Sequence, residues 1–322
     1  MINHLSKGVA SLCYIPGKRL CFVSNPKAGC SSIKESLWLA EAPETYDGAP
    51  HAPNAPFKVT LDGLLADREN LCGSSFFTVV RNPYVRILSA YLEKIQDRYD
   101  HNVRLQFLAR YGLSKDRDVS FEDFLDIIAT DSPDQVDPHF ASQHINTLSS
   151  VITPAFVGHL ERFDRVAEFL SAFGIALRRH APHATGAHDR VSQFFTRTTL
   201  SSVEKLYEQD FELFGYERDI NRLAPIADWT RQQDVSKLHS FLVEAELRNE
   251  NRDLRKSRDN LLRARDDLLK ERDSLQNERN EYRQLAARLN AQLSATRAST
   301  SWRITAPLRA AAALAKSSRE GD

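Results

Sequence analysis

Short apolar runs alternate with polar turn residues over the first 225 or so residues of the chain. Residues 20–24 and 75–80 are apolar runs with β-branched and aromatic side chains, and each is followed by a segment with helical spacing. Residues 155–158 predict a third strand. Because consecutive strand–loop–helix units form parallel sheets, we expect an α/β domain with a parallel central sheet between two helical layers.

Three further segments have helical spacing, namely residues 121–128, 162–173 and 201–214. Ser120 precedes the first of them and Asp123 follows three residues later, which is the spacing of an N-terminal capping box. Ser201 and Glu204 show the same spacing at the start of the third segment. We therefore expect helices to begin at Ser120 and at Ser201.

The pattern changes near Pro225, and residues 235–296 contain neither glycine nor proline. An apolar residue recurs at every seventh position of this segment, at Leu247, Leu254, Leu261, Leu268, Leu275, Tyr282 and Leu289. The repeat predicts one long helix over residues 235–298, with these residues at heptad position d. Position a carries arginine in four successive repeats, so a coiled coil between copies and a solvated single helix both stay open.

By sequence the chain thus has three parts: a domain over residues 1–225, the long helix over 235–298 and a tail over 299–322. The tail places apolar residues beside basic ones, namely Trp302, Ile304, Leu308 and Leu314 beside Arg303, Arg309 and Lys316. This composition suits peripheral docking on a partner protein or an anionic membrane surface, and a plain helix end is the alternative.

The chain has no formal net charge, which excludes a long-range electrostatic field of one sign. There are 43 basic and 43 acidic residues, so neither nucleic acid nor an anionic membrane is favoured as a chain-wide partner, and an anion site must be local. The four cysteines lack metal-site spacing, which predicts reduced thiols and no zinc site. The first 17 residues lack the features of a secretory signal, so we expect a cytoplasmic protein, at most peripheral to the inner membrane of a bacterium.

One candidate anion site follows the first predicted strand, in residues 25–34. Main-chain N–H groups and the helix dipole converge on an anion at such a strand-to-helix turn. Gly29 allows close approach of the backbone, Ser31 and Ser32 add hydroxyl donors, and Lys27 adds a positive charge. The segment therefore predicts a phosphate cradle, with a polar helix cap and an incidental lysine as the alternative.

A second candidate follows the strand predicted at residues 75–80. Arg81 falls at the carboxyl end of that strand, the edge at which open parallel sheets bind ligands. Ser89 lies eight residues on, in a helix that Pro83 would open. A guanidinium and a hydroxyl at these positions could bind one phosphate together, whereas Arg81 alone could equally be a structural ion-pair partner.

Together these segments resemble the sulfotransferases that use 3′-phosphoadenosine 5′-phosphosulfate. The similarity is to the carbohydrate branch of sulfotransferase family 2, which includes Golgi enzymes and bacterial relatives. The first family loop is matched by Pro26, Lys27, Ala28, Gly29, Cys30 and Ser31. The second is matched by Arg81, Asn82, Pro83, Arg86, Ser89, Ala90 and Tyr91. Weaker similarity extends the resemblance over residues 18–220.

The resemblance implies a three-layer, P-loop-like fold and transfer of a sulfuryl group to a carbohydrate hydroxyl. The Arg/Asp-rich helix and the tail resemble extensions of bacterial enzymes that assemble surface polysaccharides, which implies a cell-surface glycan or its precursor as acceptor. The family resemblance also implies that the first loop and Ser32 hold the 5′-phosphosulfate of the donor, and that Arg81 and Ser89 hold its 3′-phosphate. Lys27 would neutralise the leaving group, so no metal is expected. Arg190 would contact the nucleotide from a flap.

Family members have a histidine between the two loops as the general base, and His51 is the one histidine in that interval. The Ala52–Pro53 pair after it departs from the Val/Leu-Ser pair that often follows in the family. His139 and Gln143 lie in a segment similar to the family's His-Trp-x-Pro-Gln stretch and are implied to contact the acceptor. His139 is also the rival of His51 as base.

Two other classes of function stay open. A kinase or nucleotide triphosphatase would also use a phosphate cradle, but the usual Gly-x-x-x-x-Gly-Lys-Ser/Thr loop is absent. In a non-catalytic scaffold the long helix would carry the function. Binding of adenosine 3′,5′-bisphosphate, compared with binding of ATP and magnesium, separates these classes from a sulfotransferase.

Overall fold

The structure is a computed structural model that describes residues 9–97, 101–132, 135–179, 185–226 and 229–317. The chain divides into two compact units, Met1–Glu250 and Asn251–Asp322. The sheet and both candidate loops lie in the first unit. In its described part, the second unit is helical.

The described residues of the first unit form one five-stranded sheet in the order β1-β2-β3-β4-β5. The strands are β1 Leu12–Ile15, β2 Leu20–Val23, β3 Ser75–Val80, β4 Phe156–His159 and β5 Trp229–Thr230. Strands β2, β3 and β4 pair in parallel, as predicted from the three apolar runs. Both outer strands, β1 and β5, pair antiparallel to their neighbours.

The predicted parallel sheet is therefore confirmed for its three central strands, while the two outer strands make the whole sheet mixed. Strand β1 was not predicted, and it reverses into β2 through the short 3₁₀ turn Pro16–Lys18. Arg19 ends that turn in the left-handed region with φ of 49°, which brings the chain straight back along β1. A connection this short permits only antiparallel pairing.

Helices follow the strands and cover the sheet. In the first unit they are α1 Cys30–Glu41, α2 Leu61–Ala66, α3 Arg68–Cys72, α4 Pro83–Tyr91, α5 His101–Arg110, α6 Phe121–Ala129, α7 Gln143–Asn146, α8 Phe163–Ser171, α9 Ala187–Phe194, α10 Arg197–Leu206 and α11 Glu208–Phe214. A π-helical turn, Leu92–Gln96, continues from α4.

Alternate residues of the strands face opposite sides of the sheet, and both sides are packed. Leu20 and Phe22 of β2 belong to an apolar cluster that also contains residues of α1 and α8. Cys21 and Val23 of the same strand belong to a second cluster on the opposite side, with residues of α2 and α3. The sheet is thus buried on both faces, as is typical of layered α/β domains.

The capping box of Ser120 is confirmed, because Ser120 Oγ accepts a hydrogen bond from the Asp123 N–H at 3.0 Å. The start predicted at Ser201 is wrong. Helix α10 begins earlier, with Thr196 as its cap and Thr199 as the reciprocal partner. Glu204 instead accepts a hydrogen bond from the Tyr84 hydroxyl at 2.7 Å, so its carboxylate joins α10 to α4.

The long helix is confirmed as α12, Leu238–Ala298, within three residues of the predicted bounds. Its first turns pack against the sheet through the buried residues Leu238 and Leu242. Two shorter helices follow it, α13 Thr300–Ile304 and α14 Ala306–Ser317. The side chains of Leu314 and Lys316, predicted for docking, lie outside the described part. Over the described residues, no helix has the length and hydropathy to span a bilayer.

Gly158 allows β4 and α8 to pack closely. A Cβ atom at this position would lie 2.5 Å from Val166 Cγ2, closer than real carbon contacts allow. We expect Gly158→Ala to destabilise the domain by about 1–3 kcal/mol, because the packed helix must move to admit one methyl group. Urea denaturation monitored by tryptophan fluorescence, to which buried Trp38 contributes, measures the change.

Gly17→Ala is the matched control, because the nearest atom to a Cβ at that position is Glu41 Oε1 at 3.9 Å. This variant should stay within about 0.5 kcal/mol of the wild type. Equal unfolding midpoints for the two variants would show that the packing of β4 against α8 does not require glycine at position 158.

Candidate active site

The two candidate loops lie at one edge of the sheet because β2 and β3 run parallel. Residues 24–29 follow β2, and Arg81 directly follows β3. The guanidinium of Arg81 donates from Nη1 to the main-chain oxygen of Lys27 over 3.4 Å. The structure thus brings the two predicted anion-binding segments into contact.

The first loop ends at Gly29, in the left-handed region with φ of 78°. This backbone conformation favours glycine, and a Cβ atom at Gly29 would also lie 2.9 Å from Leu160 Cδ1, so that side chain would have to move. Helix α1 then begins at Cys30, and the N–H groups of its first turn have no acceptor within the helix. Ser31 and Ser32 lie in that turn, so their amides and hydroxyls can serve an anion.

Lys27 itself has a left-handed backbone, with φ of 67°, which is uncommon for a residue with a side chain. Its ammonium group forms an ion pair with Glu93 of the π-helical turn, and Lys94 Nζ lies 3.0 Å from the other oxygen of the same carboxylate. Burial lowers the pKa of Lys27, and the charge of Glu93 opposes that decrease. Burial would raise the pKa of Glu93, but the two ammonium groups hold it below its usual value.

Arg86, which the resemblance groups with the second loop, has a structural function here. Its side chain is fully buried and donates to three main-chain oxygens, those of Pro26 at 3.0 Å, Ala141 at 2.8 Å and Pro138 at 3.1 Å. The guanidinium therefore ties α4 to the first loop and to the segment that contains His139.

Gln143 does not face a substrate space in this structure. Its side chain is fully buried, donates to the Arg81 main-chain oxygen at 2.8 Å, and accepts from the Arg81 N–H and from Asn25 Nδ2. Its own N–H donates to Asp210 at 2.7 Å. The amide of Gln143 thus holds the ends of the strands together, and its contact with an acceptor stays a prediction.

Ser89 is buried on α4, and its hydroxyl accepts a hydrogen bond from Thr185 Oγ1 at 3.1 Å. Thr185 immediately precedes α9, which packs on α4 and carries Arg190. The Arg190 guanidinium lies 5.1 Å from the centre of the Phe194 ring in the same helix. The structure therefore brings the segment before α9 beside Ser89.

His51 lies next to the first turn of α1. Its Nε2 is 2.9 Å from Ser31 Oγ, its Nδ1 is 3.5 Å from Lys34 Nζ, and its main-chain oxygen accepts from Lys58 Nζ at 2.7 Å. One side of the residue is exposed to solvent. Partial desolvation of the ring, followed by the charges of Lys34 and Lys58, lowers the pKa of His51 to about 4. The ring is therefore neutral at physiological pH.

His139 forms a pair with Asp137, with 2.7 Å between Nδ1 and Oδ1. A carboxylate at Nδ1 orients an imidazole and leaves Nε2 for a reacting group, which is the arrangement of a histidine base and its positioning residue. His139 also contributes to the low pKa of His51, so the two rings belong to one electrostatic environment.

Several residues of this region were not predicted, namely Asp137, Glu93, Lys94, Lys34 and Lys58. Lys34 could have been found from the sequence, because it follows Ser31 by three residues and so lies on the same face of α1. Glu93 and Lys58 become neighbours of the site only through tertiary contacts. Within the described segments, no cluster of three or more His, Cys, Asp or Glu residues is arranged to hold a metal ion.

Comparison with known proteins places this geometry in a family. The model of the sulfotransferase family matches residues 12–217. Carbohydrate sulfotransferase 10 of Mus musculus is 24% identical over 251 residues, with 67% of this chain and 70% of that protein covered. Carbohydrate sulfotransferase 14 of Danio rerio is 26% identical over 225 residues, with 61% and 59% covered. No solved structure gives a significant match.

The family match covers well over half of the chain and includes strands β1 to β4, both loops and His51. The chain therefore belongs to the sulfotransferase family and is a sulfotransferase.

The environment of His51 predicts an unusual titration. We expect a midpoint near pH 4 in a histidine NMR titration, because the ring is partly desolvated and faces ammonium groups. Lys34→Gln removes one of these charges, so the midpoint should rise toward the ordinary value of about 6.5. His51→Asn identifies the resonance, and a wild-type midpoint above about 6 would contradict this electrostatic description.

Proposed function

We propose that this sulfotransferase moves a sulfuryl group from 3′-phosphoadenosine 5′-phosphosulfate to a hydroxyl of a carbohydrate. The observation that carries the proposal is the contact of two anion-binding segments through Arg81 and the main chain of Lys27. A donor with phosphates at both ends of a nucleoside suits two such segments. The names of the two relatives support a carbohydrate as the acceptor. The cell-surface glycan or precursor predicted from the sequence is the finer part of this proposal.

The residues present fit this donor in charge and shape. Gly29 keeps the first loop free of a side chain, and the open amides of the first turn of α1 favour a phosphate at that point. In this P-loop-like cradle, Lys27, Ser31 and Ser32 would hold the 5′ group, with Pro26, Ala28 and Cys30 forming the loop around it. Arg81 and Ser89 would hold the 3′-phosphate, and Arg190 would contact the nucleotide from α9.

When bound, the donor supplies the sulfuryl group and leaves as adenosine 3′,5′-bisphosphate. Lys27 would neutralise the charge that develops on the leaving phosphate, which is the main electrostatic requirement of such a transfer. His51 would take the proton of the attacking hydroxyl. Partial desolvation and the neighbouring cations keep its pKa low, and an anion held beside Ser31 would raise that pKa and make the ring a better base.

The pair of His139 and Asp137 supports a second candidate for the base. Its geometry leaves Nε2 free of the orienting carboxylate, whereas Nε2 of His51 is engaged by Ser31. We keep His51 as the proposed base because it is next to the cradle that would hold the reacting end of the donor, and assign His139 to the acceptor side.

Calorimetry and an activity assay test the proposal together. The wild type should bind adenosine 3′,5′-bisphosphate at least tenfold more tightly than ATP with magnesium, and should transfer label from the donor to members of a panel of desulfated polysaccharides. Lys27→Ala should lose about two orders of magnitude in transfer, since it removes the charge at the leaving group. His51→Ala should bind the bisphosphate within about threefold of the wild type, yet lose about two orders of magnitude or more in turnover.

His239→Ala is the control, because His239 is exposed near the start of α12, and it should keep wild-type activity. Tighter binding of ATP with magnesium would favour a nucleotide triphosphatase instead. Loss of turnover in His139→Ala with full activity in His51→Ala would assign the base to His139.

A further inference from the structure

We propose that Glu93 is an internal counter-ion that holds the ammonium group of Lys27 in the donor-free protein and gives it up to the donor. Glu93 is thus a positioning residue that competes with the substrate anion for one lysine. This inference rests on the proposed function, because it assigns Lys27 to the phosphate cradle.

The ion pair is enclosed by the protein. The side chains of Lys27 and Glu93 are only 10% and 11% exposed, and Lys94 contacts the second oxygen of the same carboxylate. A buried charge is stable only with a partner, because desolvation costs several kcal/mol per ion. Lys27 therefore needs an anion at all times, and in the protein alone that anion is Glu93.

Both residues are placed by irregular backbone. Lys27 has a left-handed conformation, and Glu93 lies in the π-helical turn Leu92–Gln96 rather than in a regular extension of α4. Such departures cost energy and are concentrated at functional sites. The convergence of two irregular segments on one ion pair indicates that the pair is a functional arrangement.

The exchange takes place at the side chains, because the loop itself is held. Arg86 donates to the main-chain oxygen of Pro26 at 3.0 Å, and Arg81 donates to that of Lys27. The flexible stem of Lys27 can move its ammonium group from one anion to another while these contacts persist. After such a move Glu93 keeps Lys94 as its partner, so the carboxylate still has a cation beside it.

The carboxylate also sets the affinity of the site for anions. While Glu93 is charged, it occupies the lysine that would bind a second anion. Removing its charge leaves Lys27, Lys94 and Arg81 as neighbouring cations without this carboxylate. The bisphosphate should then bind more tightly and leave more slowly. A purely structural contribution of Glu93 has the opposite sign, because a damaged loop binds more weakly.

The experiment compares Glu93→Gln, which keeps the shape of the side chain, with the wild type and with Glu122→Gln. Glu122 is an exposed residue of α6 and serves as the charge-matched control. Calorimetry with adenosine 3′,5′-bisphosphate should show a dissociation constant at least fivefold lower in Glu93→Gln and unchanged in Glu122→Gln. In a Lys27→Ala background the effect of Glu93→Gln should fall below twofold, because the contested ammonium is absent.

Unchanged or weaker binding in Glu93→Gln overturns the counter-ion role while leaving the proposed function intact, provided that the wild type binds the bisphosphate. A fivefold gain that persists in the Lys27→Ala background overturns the exchange, since it would show direct repulsion without Lys27. No bisphosphate binding by the wild type would instead contradict the proposed function itself.

A separate observation concerns α12, whose heptad d residues face solvent. Each of them, from Leu247 to Leu289, is more than half exposed, including Leu261 at 69% and Tyr282 at 70%. A solvated helix held by ion pairs has no requirement for an apolar residue at every seventh position. The regular stripe therefore indicates a partner helix.

The arginines at heptad position a are already paired within the helix. Guanidinium groups of Arg258, Arg265 and Arg272 lie 2.6–2.7 Å from the carboxylate of the following aspartate. This pairing compensates their charge, and their stems can lie along an apolar seam with the charged end in water. Asn251 also occupies an a position, where asparagine favours two parallel strands in register.

Charged residues beside the stripe identify the partner as a second copy of this chain. Positions g and e carry Glu250 with Arg255, and Glu278 with Arg283. In a parallel, in-register pair these positions meet across the interface and are opposite in charge, whereas antiparallel pairing brings g to g and e to e. We infer that α12 forms a parallel, in-register, two-stranded coiled coil between two copies.

Sedimentation equilibrium of the full chain tests this inference, with a dimer as the expected result. Leu261→Glu combined with Leu268→Glu should give a monomer, while Arg263→Glu at the outward f position should stay dimeric. Glu278→Arg should weaken the dimer at least tenfold, and Glu278→Arg with Arg283→Glu should restore it. A monomeric wild type, or failure of the second change to restore the dimer, overturns the inference.

Discussion

The buried guanidinium of Arg86 is the interaction on which the geometry of the site depends. It donates to main-chain oxygens in two separate segments, at Pro26 in the first loop and at Pro138 and Ala141 near His139. An unpaired buried charge would cost several kcal/mol, so all of these contacts must be formed at once in the folded state. The cradle and the histidine segment are therefore positioned by one residue of α4, although they lie more than 100 residues apart in the chain.

A second polar group supports the same edge of the sheet. Asp210 is fully buried and accepts hydrogen bonds from the N–H groups of Gln143 and His144, and its charge favours the ionised form of Arg86. Gln143 in turn bonds both the N–H and the main-chain oxygen of Arg81. A buried network in which every polar group is hydrogen-bonded favours a single arrangement of the backbone, because an arrangement that leaves some groups without partners is much less stable. The positions of Lys27 and Arg81 are thus set by buried neighbours that need not contact a ligand.

The sequence could predict the central strands, the long helix and the segments of the site, because each is encoded by a pattern within one continuous stretch of residues. The edge strand β1 was missed, since four apolar residues before a turn do not distinguish an edge strand from a loop. The start of α10 was assigned to Ser201 because Glu204 has capping-box spacing, but tertiary contact with Tyr84 determines where that carboxylate lies. Motif similarity gave no function to Arg86, because its orientation on α4 decides that this guanidinium is buried among main-chain oxygens.

Positive charge is concentrated at the site although the chain as a whole is neutral. Equal numbers of acidic and basic residues leave no long-range field, yet His51 is surrounded by the ammonium groups of Lys34, Lys58 and Lys94. Partial desolvation of the ring, followed by these cations, lowers its pKa in the protein alone, and negative charge beside the ring would raise that pKa. In the proposed reaction the donor brings that charge to the turn beside Ser31. Because the same anion that carries the sulfuryl group would strengthen the base, removal of the acceptor proton would be favoured only when a donor is in place.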